Sequence, residues 1–385
     1  MTFVKPNGTN AIRMLKESLT CRKKILFIIG SPNQTSQMHQ VASRLTDYDC
    51  YFSQLYTKHP FIRTVVRTGL LDTTILSGDF KRKGDAYLDR HQLRNDYARS
   101  VYRHDYEMAV LCTDLLVTRE LRSLKTVWIQ EGMTDPLTAW GKWTHRMGLP
   151  SYFAGNTAYN GAGNICDIYC AASQGYKEQF AAYGADPSRI VVTGIPNYDH
   201  AEILRHNNFP HRGYVLAATS DIRETFKKDD REAFIGRCIR IAGGRQLIFK
   251  LHPNEKKDRA MEEIKRLAPS GTLIYTEGNT EHMIAHCDEL ITQYSTVVYI
   301  GIALGKKVHS YFDVEQLKKL APVQNGGSSA SNIADICRRY LEFKGDREDF
   351  LRKMQATNIS IGYHEREKTE DRHHYSNQEG FESVA

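Results

Sequence analysis

The chain has 385 residues, 41% hydrophobic and 25% charged, with a formal net charge of +7. That length supports two or three domains around a sizeable core, and the mix is that of an ordinary soluble globular protein. No run approaches the roughly 18–20 apolar residues of a membrane span, and Met1 to Lys24 lacks the apolar stretch of a signal peptide. The expectation is a cytoplasmic protein of bacterial type, with peripheral contact at the cytoplasmic membrane face left open.

Lys and Arg are spread along the chain and alternate with acids, as in Lys256-Lys257-Asp258-Arg259. No zinc finger, RNP aromatic motif or basic helix points to a nucleic-acid partner. Of eight cysteines, most sit in apolar contexts such as Val110-Leu111-Cys112, the setting of buried reduced thiols. Cys166 and Cys170 have no second Cys/His pair nearby in sequence, so no metal site is expected.

Met1 to Thr20 reads as a short helix or lead-in. Lys24 to Ile29 is an apolar, β-branched run that stops at Gly30-Ser31-Pro32-Asn33, as a buried parallel strand does. Gln34 to Leu45 spaces Met38, Val41, Ala42 and Leu45 for one helix face. Strand, polar loop and helix together open a Rossmann-like unit. Cys50 to Leu55 is a second strand. Phe61 to Asn95 is Arg-rich without a period and reads as irregular, and His104 to Leu116 reads as helical. Lys125 to Gln130 is a strand ending in Glu131-Gly132. Asp167 to Ala172 is another, and Ser173 caps a helix with Tyr176, Phe180 and Tyr183 on one face and Gly184 at its end. Arg189 to Pro196 is one more strand and turn.

Asn207 to Arg212 is polar and contains a proline, as a linker does. After it the alternation resumes: strands from Gly213, Gln246, Thr272, Glu289 and Lys307, with helices Asp230 to Ala242, Asp258 to Leu267, Thr280 to Cys287 and Ser295 to Leu304 between them. Val297-Val298-Tyr299-Ile300 has strand propensity, but Ser295 before it and Gly305 after it favour a helix. The fold class is α/β, with two consecutive Rossmann-like domains: residues 1–208, residues 209–363, and a tail 364–385 expected to be poorly ordered.

Ligands of open α/β sheets bind beyond the carboxyl ends of the strands. In the first domain those ends offer Gly30, Ser31, Asn33, Gln130, Gly132 and Asp135 as an acceptor-side cleft. Glu131 follows a buried strand and precedes glycine, so it is the candidate general base towards an acceptor hydroxyl. In the second domain they offer Thr219, Ser220, Arg223, Lys250, His252, Pro253, Glu255, Tyr294, Ser295 and Thr296. Ser295 and Thr296 supply hydroxyl donors at the start of a helix, His252 can donate to a phosphate oxygen, and Lys250 and Arg223 add charge. Glu255 can accept from ribose hydroxyls. No G-x-S-x-G, P-loop or G-x-G-x-x-G is present, which argues against serine hydrolase, simple NTPase and dinucleotide readings.

The run Asp-Pro-Ser-Arg-Ile-Val-Val-Thr-Gly-Ile-Pro-Asn-Tyr-Asp, ending at Asp199, resembles the end of the N-terminal domain in GT-B glycosyltransferases. The closest branch holds non-hydrolysing UDP-N-acetylglucosamine 2-epimerases and CDP-glycerol glycerophosphotransferases. The Lys-Leu-His-Pro-Asn-Glu and Tyr-Ser-Thr segments resemble the nucleotide-binding half of that fold. A narrower likeness is to bacterial sialyl- and polysialyltransferases, through His252-Pro253 and Ser295-Thr296. Gln130-Glu131-Gly132 matches their acidic pair before glycine only in the second acid. The resemblance implies two Rossmann-like domains facing across a cleft, with Glu131 as base, His252 assisting the leaving phosphate, and Ser295 and Thr296 holding it. It implies a glycosyltransferase of surface polysaccharide or glycolipid synthesis. The substrate is a nucleotide-sugar with a CMP, UDP or CDP carrier, and neither cofactor nor metal is needed. An epimerase and a CDP-polyol phosphotransferase are the alternatives.

Overall fold

The computed structural model describes residues 22–57, 59–68, 78–97, 105–115, 117–225 and 229–356. The lead-in before residue 21 and the tail 364–385 lie outside the described residues. Among the described residues twelve strands form two sheets, and every pairing between them is parallel.

The first sheet contains β1 (Lys24–Ile28), β2 (Asp49–Ser53), β3 (Arg94–Asn95), β4 (Met108–Leu111), β5 (Lys125–Ile129), β6 (Ile168–Ala171) and β7 (Ile190–Val192). Their order is β3-β2-β1-β4-β5-β6-β7. The second contains β8 (Tyr214–Ala218), β9 (Leu247–Lys250), β10 (Leu273–Tyr275), β11 (Cys287–Thr292) and β12 (Lys307–His309), in the order β10-β9-β8-β11-β12. Both orders run outward from the first strand of the unit and then reverse. Each sheet therefore has a switch point, at β1/β4 and at β8/β11, where a crevice opens beyond the strand ends.

Two sequence expectations are corrected. The helix expected from His104 to Leu116 is replaced, within its described residues, by a strand: Met108–Leu111 is the central strand β4, with all four residues buried between β1 and β5. A short apolar run buried on both faces carries no period that separates strand from helix. Phe61 to Asn95 is not irregular, because it contains helices Pro60–Arg67 and Gly78–Arg90. A third difference concerns the boundary at 209–363. Helices Ser329–Glu342 and Arg347–Ala356 return to the first sheet, where Ile333, Ile336, Cys337, Phe350 and Leu351 join the core of Ile25, Phe27, Val110, Val127 and Ile168. Asp199 fixes the return by accepting from the Ser329 N–H at 2.6 Å, an anionic cap at a helix start. Along the other faces one apolar cluster continues from Trp128, Tyr169, Tyr176 and Phe180 into Tyr299, Leu290 and Leu216, so the two units share a buried joint.

Candidate active site

Ser31 caps helix Pro32–Ala42 in a capping box: its Oγ accepts from Gln34 N at 3.2 Å, and Gln34 Oε1 accepts from Ser31 N at 3.3 Å. The two side chains keep one donor each, and both point at Glu131. Ser31 Oγ donates to Glu131 Oε1 at 2.8 Å and Gln34 Nε2 donates to Oε2 at 2.6 Å. The carboxylate thus spans from the end of β5 to the helix that follows β1. Burial pushes its pKa up, while the Gln34 and Ser31 donors pull it down, with burial the larger effect. A carboxylate held by two neutral donors and raised in basicity is suited to accept a proton.

Gln130 positions the loop from below. It is buried, donates from Nε2 to the Gly132 carbonyl at 2.9 Å, and accepts at Oε1 from Ala172 N at 2.8 Å. Gln37 Nε2 holds the Gln130 carbonyl at 3.1 Å. Gly30 is buried directly before the cap, and Asn33 is exposed with its carbonyl accepting from Asn197 Nδ2 at 3.1 Å. Asp135 accepts from Thr157 N and Oγ1 at 3.0 and 2.8 Å.

In the second unit three neighbouring strands, β9, β8 and β11, deliver the candidate residues. Ser220 Oγ donates to Gln293 Oε1 at 2.9 Å, joining the ends of β8 and β11 at the switch point, and Gln293 Nε2 donates to Asp229 at 2.7 Å. His252 N donates to Thr219 Oγ1 at 2.9 Å. The ring Nδ1 accepts from Asn254 N at 3.2 Å, which leaves Nε2 to carry the hydrogen of the neutral imidazole. Asp221 Oδ2 lies 3.8 Å from the same Nδ1. The His252 and Ser295 strand ends are two strand spacings apart, about 10 Å.

Ser295 and Thr296 are partly exposed, and among the described residues neither hydroxyl has a hydrogen-bond partner. The helix after them begins at Val298, its cap is Val297, and no side-chain cap bond forms. Ser295 is therefore not the cap that the sequence suggested, and both hydroxyls remain available.

Other candidates are already committed. Glu255 is buried, with one oxygen taken by Thr219 Oγ1 and the other by Arg231, so it braces the loop and is not open to a ribose. Arg223 makes a bidentate pair with Glu263 at 2.9 and 2.8 Å. Lys250 is buried and donates to the Leu251 carbonyl at 3.0 Å, and burial pushes its pKa down. Pro253 is exposed, and Tyr294, half exposed, packs edge-on against Tyr311 and Phe312. The sequence did not single out Gln34, Gln37 or Gln293. The Ser-x-x-Gln capping box was a visible signal for the first; the other two carry none.

The halves meet at glycines. A Cβ on Gly132 would lie 3.1 Å from Thr296 Cγ2, so Glu131-Gly132 of the first unit sits directly against Ser295-Thr296 of the second. At Gly175 a Cβ would lie 2.1 Å from the Lys319 carbonyl, and Ser173 Oγ donates to the Leu320 carbonyl at 3.0 Å. The buried Tyr176 and Tyr299 hydroxyls share a 2.8 Å hydrogen bond across the joint. Beside it lies a cavity of about 320 Å³ lined from both units, among others by Asp135, Lys142, Gln179, Asp313 and Gln316.

Two parallel Rossmann-like sheets that face one another through the carboxyl ends of their strands make a GT-B fold. No protein-family model matches the chain and no curated protein matches its sequence. Solved structures do. A Listeria monocytogenes protein assigned as a UDP-N-acetylglucosamine 2-epimerase is 13% identical, with a TM-score of 0.53 over 85% of this chain and 98% of that one. S. aureus MnaA solved with UDP is 12% identical, with a TM-score of 0.51 over 83% and 97%. The Neisseria meningitidis UDP-GlcNAc 2-epimerase bound to UDP-GlcNAc is 12% identical, with a TM-score of 0.50 over 82% and 100%. At these identities the likeness establishes the GT-B fold.

Proposed function

We propose that the protein is a nucleotide-sugar-dependent glycosyltransferase that transfers a sugar to a hydroxyl of a glycan or glycolipid acceptor in bacterial surface polysaccharide synthesis. The observation that carries the reading is the meeting of Glu131-Gly132 with Thr296. It puts a carboxylate of raised pKa on one side of the cleft and two uncommitted hydroxyls on the other.

The acceptor hydroxyl gives its proton to Glu131 as its oxygen bonds to the anomeric carbon. The bond from that carbon to the donor phosphate oxygen breaks, and the electron pair leaves with the phosphate. Ser295 Oγ, Thr296 Oγ1 and the hydrogen on His252 Nε2 donate to the phosphate oxygens, so protein donors carry the stabilisation that a metal would otherwise give. The carrier nucleotide occupies the β8/β11 switch point, and the acceptor lies along Ser31 and the β5 end. A thermal-shift panel of CMP, CDP, UDP and GDP identifies the carrier, because a bound nucleotide raises Tm in proportion to occupancy. Donor turnover with a candidate acceptor then tests the transfer. No stabilisation by any of the four defeats the reading.

A UDP-N-acetylglucosamine 2-epimerase is the second reading, favoured by the names of the three structural neighbours. It is disfavoured by the carboxylates: elimination and re-addition use several, whereas Asp135 accepts from Thr157, Glu255 is held by Thr219 and Arg231, and Glu131 meets only the neutral donors Ser31 and Gln34. Incubation with UDP-N-acetylglucosamine alone separates the readings, since only an epimerase gives the C2-inverted sugar without an acceptor.

A further inference from the structure

Ten large apolar side chains are exposed among the described residues, and six of them fall between 140 and 153: Trp140, Trp143, Met147, Leu149, Tyr152 and Phe153. Helix Ala139–Arg146 buries Gly141 and Thr144 and turns Trp140 and Trp143 outward, with Met147 continuing the same stripe at i, i+3, i+7. The two indoles stack at 4.9 Å and 24°. Trp140 Nε1 donates to the Phe153 carbonyl at 2.9 Å, so the ring's only polar atom is satisfied inside the protein while the ring is 56% exposed. Tyr152 and Phe153 form a second ring pair at 4.7 Å on the turn Ser151–Ala154.

Within the segment that carries this patch the charge has one sign, while Asp135 and Asp313 stand on the cavity side of Lys142. Lys142 and Arg146 are exposed beside the indoles, and no Asp or Glu occurs from Pro136 to Cys166. An exposed aromatic cluster with two cations, Lys142 and Arg146, on the same helix is the composition of an element that lies in the plane of a bilayer interface and meets anionic headgroups. The helix has eight residues, and no helix among the described residues is long and apolar enough to cross a membrane. We infer that Trp140, Trp143, Met147, Leu149, Tyr152 and Phe153 form a docking surface for an anionic lipid bilayer. Leu137 and Lys142 also line the cavity between the two units, so the docked protein presents the mouth of the cleft to the membrane surface. This inference stands apart from the transfer chemistry, and lipid binding is measured without turnover.

The test uses the full chain with vesicles of phosphatidylcholine alone and of phosphatidylcholine mixed with phosphatidylglycerol. The protein is expected to co-sediment with the anionic vesicles at least about tenfold more strongly than with the neutral ones, and to be released by salt. Of the three tryptophans Trp128 is buried, so a blue shift of emission on vesicle binding reports Trp140 and Trp143. W140A/W143A is expected to lose at least about tenfold in partitioning. W143S/M147S, which keeps the Trp140 brace to Phe153, is a second variant should the first fold poorly. Arg146→Glu is expected to weaken binding to anionic vesicles only. Wild-type protein that ignores anionic vesicles overturns the inference. So do folded variants that bind as wild type, and so does a patch whose only measurable effect is self-association.

Discussion

Gly132 and Thr296 stand in van der Waals contact across the two units, leaving 3.1 Å between a Cβ built on the glycine and the threonine methyl. A methyl at 132 must push that methyl aside. Gly132→Ala is therefore expected to lower kcat/KM by about tenfold through misplacement of reacting groups, with little change in Tm. Thr296→Ser removes the methyl and keeps the hydroxyl, so the double variant is expected to regain most of the activity. Steady-state kinetics of the two singles and the double check the pair; no rescue contradicts it.

Glu131 has its pKa raised by burial, opposed by the Gln34 and Ser31 donors. The base must be ionised to act, so activity is expected to rise with pH through a value above the ordinary carboxylate range. Replacing Gln34 with Met removes a donor to the charged form and is expected to move that limb to higher pH. Stability runs the opposite way. The folded state binds this proton more tightly than the unfolded chain, so the contribution is full below the unfolded pKa and is lost as pH rises through the native one. A pH–rate profile of wild type and Q34M checks the first statement. An acid limb at the ordinary carboxylate value in both proteins contradicts it.

Tyr176 and Tyr299 bury their hydroxyls against each other at the joint. Y176F takes this partner from the buried Tyr299 hydroxyl and is expected to cost about 1–2 kcal/mol; Y299F costs less, because Tyr176 keeps a hydrogen bond with the Thr134 backbone, and the double variant costs less than the sum. Denaturant titration of the cycle measures the coupling, and strict additivity argues against the shared bond.

His252 holds its ring by accepting from Asn254 N, which leaves Nε2–H for the leaving phosphate. His252→Ala is expected to lower kcat by about a hundredfold, the scale of one lost donor to developing charge. The acceptor KM should change little. Kinetics with acceptor varied at saturating donor separate the two effects.

Much of the scaffold was legible because strands such as β1, β5, β6, β8 and β9 are apolar runs ended by Gly, Ser or His-Pro, signals that belong to the strand itself. Ser173 announced its helix by capping chemistry, and the structure has that cap. β4 was hidden because Met108–Leu111 is buried on both faces and has no period. The return of Ser329–Glu342 to the first sheet was hidden because its apolar face does not say which sheet it covers. At the site, residue types were legible and commitments were not. Glu255 and Arg223 have the right chemistry for a ribose and a phosphate, but Arg231 and Glu263 reach them first, and nothing local in the sequence records a partner tens of residues away. The Gly132–Thr296 contact is invisible for the same reason.

The most direct test of the account is Glu131→Gln, measured for donor turnover and, separately, for nucleotide binding by thermal shift. The side chain keeps its size, loses the ability to take a proton, and exchanges one of the two acceptors that Ser31 and Gln34 use for a donor. The account predicts a fall in kcat of at least about a hundredfold, with the stabilisation by the carrier nucleotide unchanged. Turnover at the wild-type rate would contradict the role of Glu131 as the base.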